Sequence, residues 1–257
     1  MYTFDARIRY SEVDSRRRLT VEKLIDYFQD CTTFQSEDLG VGLDFMTARG
    51  IAWVINYWQI QILRRPQMGE PVKIGTQPYE FKGLMGQRNF LMETQQGERL
   101  ALANSVWTLL DMKKMYPMRI PEEIAGKYEL APRLDMQYLP RKIAVPAQGG
   151  ERQEELTVRL HHLDTNKHMN NAQYVHFAVM YLPADAEICE LRVEYRKQAV
   201  LGDVIVPVLH HTAEDVLLVS MNDKDGKPYA VVEMKLLKEG IHPHLPPIFP
   251  RMKCLGS

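Results

Sequence analysis

The stretch HHLDTNKHMNNAQYV, residues 161–175, sets four polar side chains at alternating positions, Asp164, Asn166, His168 and Asn170. It follows a strand-like run, LTVRLHHLD, and leads into NNAQYVHFAVMYL, whose apolar residues recur at helical spacing. A turn from strand to helix aims its side chains and the first helical N–H groups at one point. Asn170 or Asn171 can serve as N-cap, and the helix start adds the positive end of its dipole. An anion or a developing oxyanion is the natural occupant of such a place. An Asx-rich turn before a helix is also an ordinary structural device, so the residue types alone do not decide between the two readings.

The rest of the chain bears on that choice, because the pattern occurs twice. A shift of 150 lays IRYSEVDSRRRLTVEKLIDYF (8–28) on VRLHHLDTNKHMNNAQYVHFA (158–178), pairing Arg9 with Arg159 and Asp14 with Asp164. A shift of 133 lays residues 58–70 on 191–203 and matches Gly69 to Gly202, and a shift of 129 matches Gly97 to Gly226. Shifts that shrink along the chain are what a duplication with loop deletions leaves, and a period this long means two domains of one fold. Where the second copy has Asp164, Asn166 and His168, the first has Asp14, Arg16 and Arg18. The turn can therefore be built without His or Asn.

Each copy reads as strand, helix, then about four strands. Residues 5–11 alternate like a half-buried strand, Leu19 to Phe28 have helical spacing, and Trp53 to Asp111 holds four strand runs broken by Gly and Pro. With no long helix between them, those strands form an antiparallel sheet. The predicted class is α+β, each sheet curled around its one helix and the two halves side by side. The predicted domains are 1–130 and 156–257, joined by a proline-marked linker, 131–155, with a helical turn expected near Pro121-Glu122-Glu123-Ile124. The tail, 239–257, with its prolines, reads as an irregular extension.

Composition narrows the function. Lys+Arg 32 against Asp+Glu 33 gives a net charge of −1, which lacks the basic footprint of a nucleic-acid binder. Cys31, Cys189 and Cys254 are too few and too far apart for a disulfide framework or a C-x-x-C motif, which favours a reducing compartment. No secretory signal and no stretch of about 18 apolar residues is present, so the expected location is cytoplasmic, without membrane insertion. The histidine pairs 161–162 and 210–211 lack zinc spacing and no nucleotide-binding glycine motif occurs, so no metal or cofactor is expected.

The ordered set of motifs resembles the acyl-acyl carrier protein thioesterases of plants and bacteria. Asp164, Asn166, His168, Asn170 and Asn171, followed by Tyr174, match the family's D-x-N-x-H-x-N-N pattern. The first half is similar from Trp53 to Glu70, from Asn104 to Asp111 and over residues 119–124. The resemblance implies a tandem hotdog fold, an acyl-chain pocket in the first half and catalysis in the second. One departure affects mechanism: the family's Glu-Cys after E-Y-R-R is here Gln198-Ala199. A cysteine nucleophile is excluded at that place, and Gln198 can hold a water or carbonyl but cannot take a proton.

What remains is thioester hydrolysis by activated water. Asp164, the only carboxylate of the turn, has an ordinary pKa of about 3.9 and is a weak base unless burial raises it; His168, at about 6.5, can share proton transfer. Which of the two takes the proton stays open at this stage. Asn166 would orient the carbonyl or water. Met46, Met68, Met85 and Met92 suit an adaptable acyl tunnel, although ordinary core filling is the simpler reading of each, as it is for Trp53, Trp58 and Trp107. The implied partner is acyl carrier protein, as a rule acidic, so Arg16-Arg17-Arg18, Arg64-Arg65 and Arg141-Lys142 are candidate docking groups. Monomer or homodimer is expected. The alternatives are an acyl-coenzyme A thioesterase of the same fold and a non-catalytic acyl-binding module.

Overall fold

The computed structural model describes residues 1–183 and 185–237; the predicted tail extension lies outside them. The first half runs β1 (Tyr2–Arg7), α1 (Val21–Asp38), α2 (Leu43–Arg49), β2 (Ile51–Ile62), β3 (Pro71–Lys82), β4 (Met85–Thr94), β5 (Arg99–Asp111), β6 (Tyr116–Pro117) and α3 (Glu122–Ala125). The second runs β7 (Glu151–Arg152), β8 (Leu156–Thr157), α4 (Asn171–Val179), β9 (Ile188–Tyr195), β10 (Val204–Ala213), β11 (Val216–Asn222) and β12 (Pro228–Leu236). All strands among the described residues join one antiparallel sheet in the order β1-β3-β4-β5-β2-β9-β12-β11-β10-β7, with β6 beside β5 and β8 beside β10.

The halves meet where β2 pairs β9. Gln59 lies opposite Arg192, Trp58 opposite Val193 and Ile60 opposite Leu191. Because 192 − 59 = 133, the residue at the centre of this pairing faces its own counterpart in the repeat. A pseudo-two-fold axis therefore passes between Gln59 and Arg192. Turns obey the same relation: Gly69 and Gly202 have φ of 83° and 84°, Gly97 and Gly226 of 84° and 80°, a left-handed geometry that favours glycine.

Helix α1 buries Val21, Leu24, Ile25, Phe28 and Cys31, one stripe at helical spacing, against the inner face of the first half's sheet. Phe28 meets Trp58 and Phe90 with ring centroids 6.1 and 5.3 Å away. In α4 the buried stripe includes Ala172, Val175 and Ala178, whose small side chains let it lie against α1.

The linker is a strap rather than a loose connection. It crosses the outer face of the sheet: Gln77 and Asn89 hold Pro132 C=O and Leu134 N–H, Gln59 holds Gln137 C=O (2.8 Å) and Leu139 N–H (2.9 Å), and Arg192 holds Pro140 C=O (2.6 Å). Ile143 then packs, 1% exposed, on Leu218 and Val231, with its N–H on Glu194. The outward side chains of the joint thus bind the chain that links its two sides. Residues 151–152, expected in the linker, already belong to the sheet as β7.

Several expected boundaries shift. The strand expected over 5–11 ends at Arg7, and that expected over 156–164 keeps only β8, because residues 10–12 and 160–162 form 3-10 turns instead. The cause is local: Glu12 turns back to accept from Arg9 N–H (2.8 Å) and from Tyr27 OH (2.7 Å), and His162 Nδ1 accepts from Arg159 N–H (3.0 Å). The first helix extends ten residues past Phe28, to Asp38, and α2 was not anticipated. The helical turn expected near residues 121–124 is present as α3.

Burial alone would raise the Glu12 carboxyl, but the Arg9 N–H, the Tyr27 hydroxyl and the Arg9 guanidinium outweigh it and hold the group below its ordinary 4.5. A depressed acid contributes stability that is present above its unfolded pKa and lost as pH falls through the folded one. We expect Glu12→Gln to cost about 1–2 kcal/mol at neutral pH by leaving buried donors poorly paired. Urea unfolding of both proteins should show the difference shrinking as the pH is lowered below about 4.

Candidate active site

The turn before α4 is tied by one carboxylate oxygen. Asp164 Oδ1 accepts from Asn166 N–H (2.8 Å) and His168 N–H (3.1 Å), while Asp164 N–H donates to His168 C=O (2.8 Å). Lys167, in the corner, takes φ of 63°. The first copy reproduces this bond for bond: Asp14 Oδ1 accepts from Arg16 N–H (2.9 Å) and Arg18 N–H (3.0 Å), and Arg17 has φ of 62°. The aspartate is thus what the turn requires, whereas the residues at 166 and 168 are free to differ.

Extended pairing carries the next residue to the turn. His168 bridges Val200, and Met169 N–H donates to Ala199 C=O (2.8 Å), so the segment that carries Gln198 runs past the turn and Gln198 lines the same cavity. Ala199, where the resemblance would have a cysteine, is fully buried and donates its N–H to Tyr174 OH (3.2 Å). Helix α4 begins at Asn171; its N-cap is Asn170, whose Oδ1 accepts from Ala172 N–H (2.8 Å). Tyr195 OH donates to Asn171 C=O (3.0 Å) and fixes the helix start. Burial, reinforced by Tyr174 and Asp26, pushes the Tyr195 phenol well above its ordinary value, so it stays a donor.

All four expected site residues, Asp164, Asn166, His168 and Gln198, line a single cavity of about 970 Å³. No hydrogen bond joins the Asp164 and His168 side chains among the described residues. His168 Nδ1 is buried without a partner, which leaves Nε2 as the nitrogen able to meet a reactant. The cavity continues into the first half along Thr33, Met46, Trp53, Asn56, Arg88 and Trp107.

Three first-half residues escaped the sequence reading. Gln29 Oε1 accepts from Asn171 Nδ2 (3.1 Å), and Asp26 and Asp30, beside it on α1, line the same cavity. Burial, with the Asp26 charge, holds the Asp30 carboxyl above the usual range. Their position depends on α1 lying against α4, which no local pattern announces. Of the four methionines weighed for a tunnel against ordinary core filling, only Met46 lines the cavity; Met92 is core, Met68 is 38% exposed, and Met85 lies outside the lining. Trp58 is core as expected, but Trp53 and Trp107 face the cavity.

Residues 1–128 match the family model of the acyl-ACP thioesterase N-terminal domain, and residues 147–234 that of the C-terminal domain. The chain belongs to the acyl-ACP thioesterase family. It is 28% identical over 221 residues to a chloroplastic acyl-[acyl-carrier-protein] hydrolase of Cuphea viscosissima, covering 78% of this chain and 52% of that protein. It is 24% identical over 231 residues to the chloroplastic oleoyl-acyl carrier protein thioesterase 1 of Arabidopsis thaliana, covering 80% and 63%. The chain spans about half the length of the first of these relatives. A structure described as a putative oleoyl thioesterase from Lactobacillus plantarum superposes with a TM-score of 0.81 at 25% identity, covering 93% of this chain and 97% of that one. An acyl-ACP thioesterase from Bacteroides thetaiotaomicron gives a TM-score of 0.83 at 19% identity, covering 91% and 97%. The fold of this family member is the tandem hotdog.

The family member's candidate docking arginines are mostly engaged. Arg16, Arg18 and Arg65 converge on Glu187 of the second half, Arg65 also reaches Asp14 (3.0 Å), and Arg64 is held by Glu70 (2.7 Å) and Glu98 (2.8 Å). Arg17 and Arg141 stay exposed. Asp14→Ala and Asp164→Ala should each destabilise the protein by about 1–3 kcal/mol through the N–H groups they release, and Asn at either position should restore part of the loss. Thermal unfolding of the four variants checks this. Equal stability of the Ala and Asn forms would mean that the shared oxygen does not hold the turn.

Proposed function

We propose that this protein hydrolyses the thioester of a fatty acyl group carried on acyl carrier protein, releasing the free acid and ending chain elongation in fatty acid synthesis. The observation that carries the reading is the one continuous cavity, with Asp164, Asn166, His168 and Gln198 at one part and the first half's wall along the rest. The relatives, named as hydrolases and thioesterases of acyl-acyl carrier protein, support the same substrate. A plain acyl-binding module has no use for a histidine on the cavity wall that the turn itself does not require.

In this reading the thioester carbonyl lies at the N-terminus of α4, where N–H groups and the helix dipole stabilise its developing negative charge. His168 Nε2 takes a proton from water, and the resulting hydroxide adds to the carbonyl carbon. The tetrahedral intermediate collapses by breaking the carbon–sulfur bond, and the imidazolium returns its proton to the leaving thiolate. We assign the base to His168 because Asp164 has the same turn-holding bonds as Asp14, which has no histidine beside it. Asp164 and Asn166 position the water, and Gln198 holds the water or carbonyl by hydrogen bonds. A monomer suffices, since the two halves complete the sheet within one chain. Cys31 and Cys189 are free thiols, in keeping with a reducing compartment such as the cytoplasm. Among the described residues no helix is long and apolar enough to cross a membrane.

His168→Ala should lower kcat/KM on acyl-acyl carrier protein by about a hundredfold or more, the usual worth of a general base. Asp164→Asn should lose less, and Ala199→Cys should gain little. Retained turnover without His168 would refute the assignment. Docking of an acidic carrier predicts that added salt lowers kcat/KM for the carrier-bound substrate but not for a short soluble thioester. A coenzyme A thioester turned over as fast as the same acyl group on the carrier would favour the alternative substrate.

A further inference from the structure

The wall that the first half gives the cavity is not one that a plain hydrocarbon chain matches. Arg88, on β4 opposite Ser105 of β5, lines the cavity and is only 6% exposed. Its Nη2 donates to Gln35 Oε1 (2.9 Å), while Nη1 is buried without a hydrogen-bond partner among the described residues. The guanidinium carbon lies 5.5 Å from the Tyr128 ring centre and 6.0 Å from that of Phe90. The groups it couples to, Tyr128 and Cys31, are a phenol and a thiol, and burial pushes the Cys31 thiol up to about 12, so among the described residues no carboxylate pairs with it. Burial lowers the guanidinium itself only to about 10, and it is a cation at neutral pH.

A buried charge with no counter-ion is costly, and proteins rarely keep one without a partner. The surroundings are polar as well. Ser36 Oγ and Tyr128 OH share a hydrogen bond (2.8 Å), and Thr108 Oγ1 donates to Asn56 Oδ1 (2.5 Å), all of them on the cavity wall. Met46, Trp53 and Phe81 line the same cavity, so apolar and polar groups share this part of its wall. Gln35, which holds Arg88, stands 35 − 29 = 6 residues along α1 from Gln29, which touches Asn171. At about 1.5 Å per residue the polar zone is displaced about 9 Å along the helix from the start of α4.

We propose that Arg88 is a specificity-determining residue that binds an oxygen function, a carboxylate, oxo or hydroxyl group, carried by the acyl chain well away from its thioester. A carboxylate is the strongest match, because it would supply the missing charge through a paired hydrogen bond. The proposal rests on the thioester-hydrolase reading and names the class of acyl group that reading would serve.

The test uses the full chain and acyl carrier protein loaded with medium-length acyl groups, each plain or bearing a terminal carboxylate, a mid-chain oxo group or a mid-chain hydroxyl. The expected result is a kcat/KM about tenfold or more higher for at least one oxygenated chain than for the plain chain of equal length. Arg88→Met should remove that preference, mainly through KM, and Arg88→Lys should keep part of it. Thermal stabilisation by the free oxygenated acids, compared with plain acids, reads the same preference without turnover. A wild-type protein that favours plain chains in both measurements, with a ranking unchanged in Arg88→Met, would overturn the proposal. If Arg88→Met fails to fold, the wild-type ranking and Arg88→Lys decide. Failure of the hydrolase reading looks different: no acyl carrier protein substrate is cleaved, whatever the acid binding shows.

Discussion

The pairing of β2 with β9 is the constraint from which the rest follows. A curled antiparallel sheet of one half would end in a strand with unpaired N–H and C=O groups, an edge prone to uncontrolled association. Setting each half's edge against the other satisfies both and lays Gln59 opposite Arg192. Once that register is fixed, α1 and α4 must lie beside each other on the inner face, and Gln29 meets Asn171. The cavity forms where the two helices and the joined sheet leave space, so it is a property of the pairing and of neither half alone. The strap reinforces the joint from outside, since the same Gln59 and Arg192 bind its backbone.

The catalytic assignment depends on separating what a turn needs from what it carries. Asp164 and Asp14 accept matching pairs of N–H groups, so an aspartate at this corner is explained by backbone geometry before any chemistry is invoked. His168 has no such structural duty. Its side chain has a buried, unpartnered Nδ1 and lies on the cavity wall, where Arg18, its counterpart, instead forms an ion pair with Glu187. A side chain that the fold does not need and leaves on the cavity wall is the stronger candidate for proton transfer.

Much of this was legible in the sequence for a physical reason: a duplicated chain carries its own internal control. The repeat located the turn and the matched glycines, and the strand runs broken by Gly and Pro located the strands from Trp53 to Asp111. Asp164, Asn166, His168 and Gln198, named from spacing and resemblance, all lie on one cavity. What escaped was what only packing decides. The strands expected over residues 5–11 and 156–164 are cut short because Glu12 and His162 fold back on the backbone, a competition that alternating hydrophobicity does not register. Asp26, Gln29 and Asp30 carry no signal in the sequence, since Gln29 and Asp30 lie past the expected helix end at Phe28 and the use of all three depends on a second helix far along the chain. A flexible apolar side chain fits a core as readily as a tunnel, and of the four methionines weighed for the tunnel, with core filling as the simpler reading of each, Met46 alone lines the cavity.

The closed cluster of Asp14, Arg18, Arg65 and Glu187 carries a further consequence. It occupies, in the first copy, the ground that Asp164, His168 and Gln198 hold in the second. In a pair of identical chains any substitution is written twice, and an arginine that closes one turn would close the other too. Joining the copies end to end breaks that obligation. One turn can then become a clamp between the halves while the other stays open to the cavity.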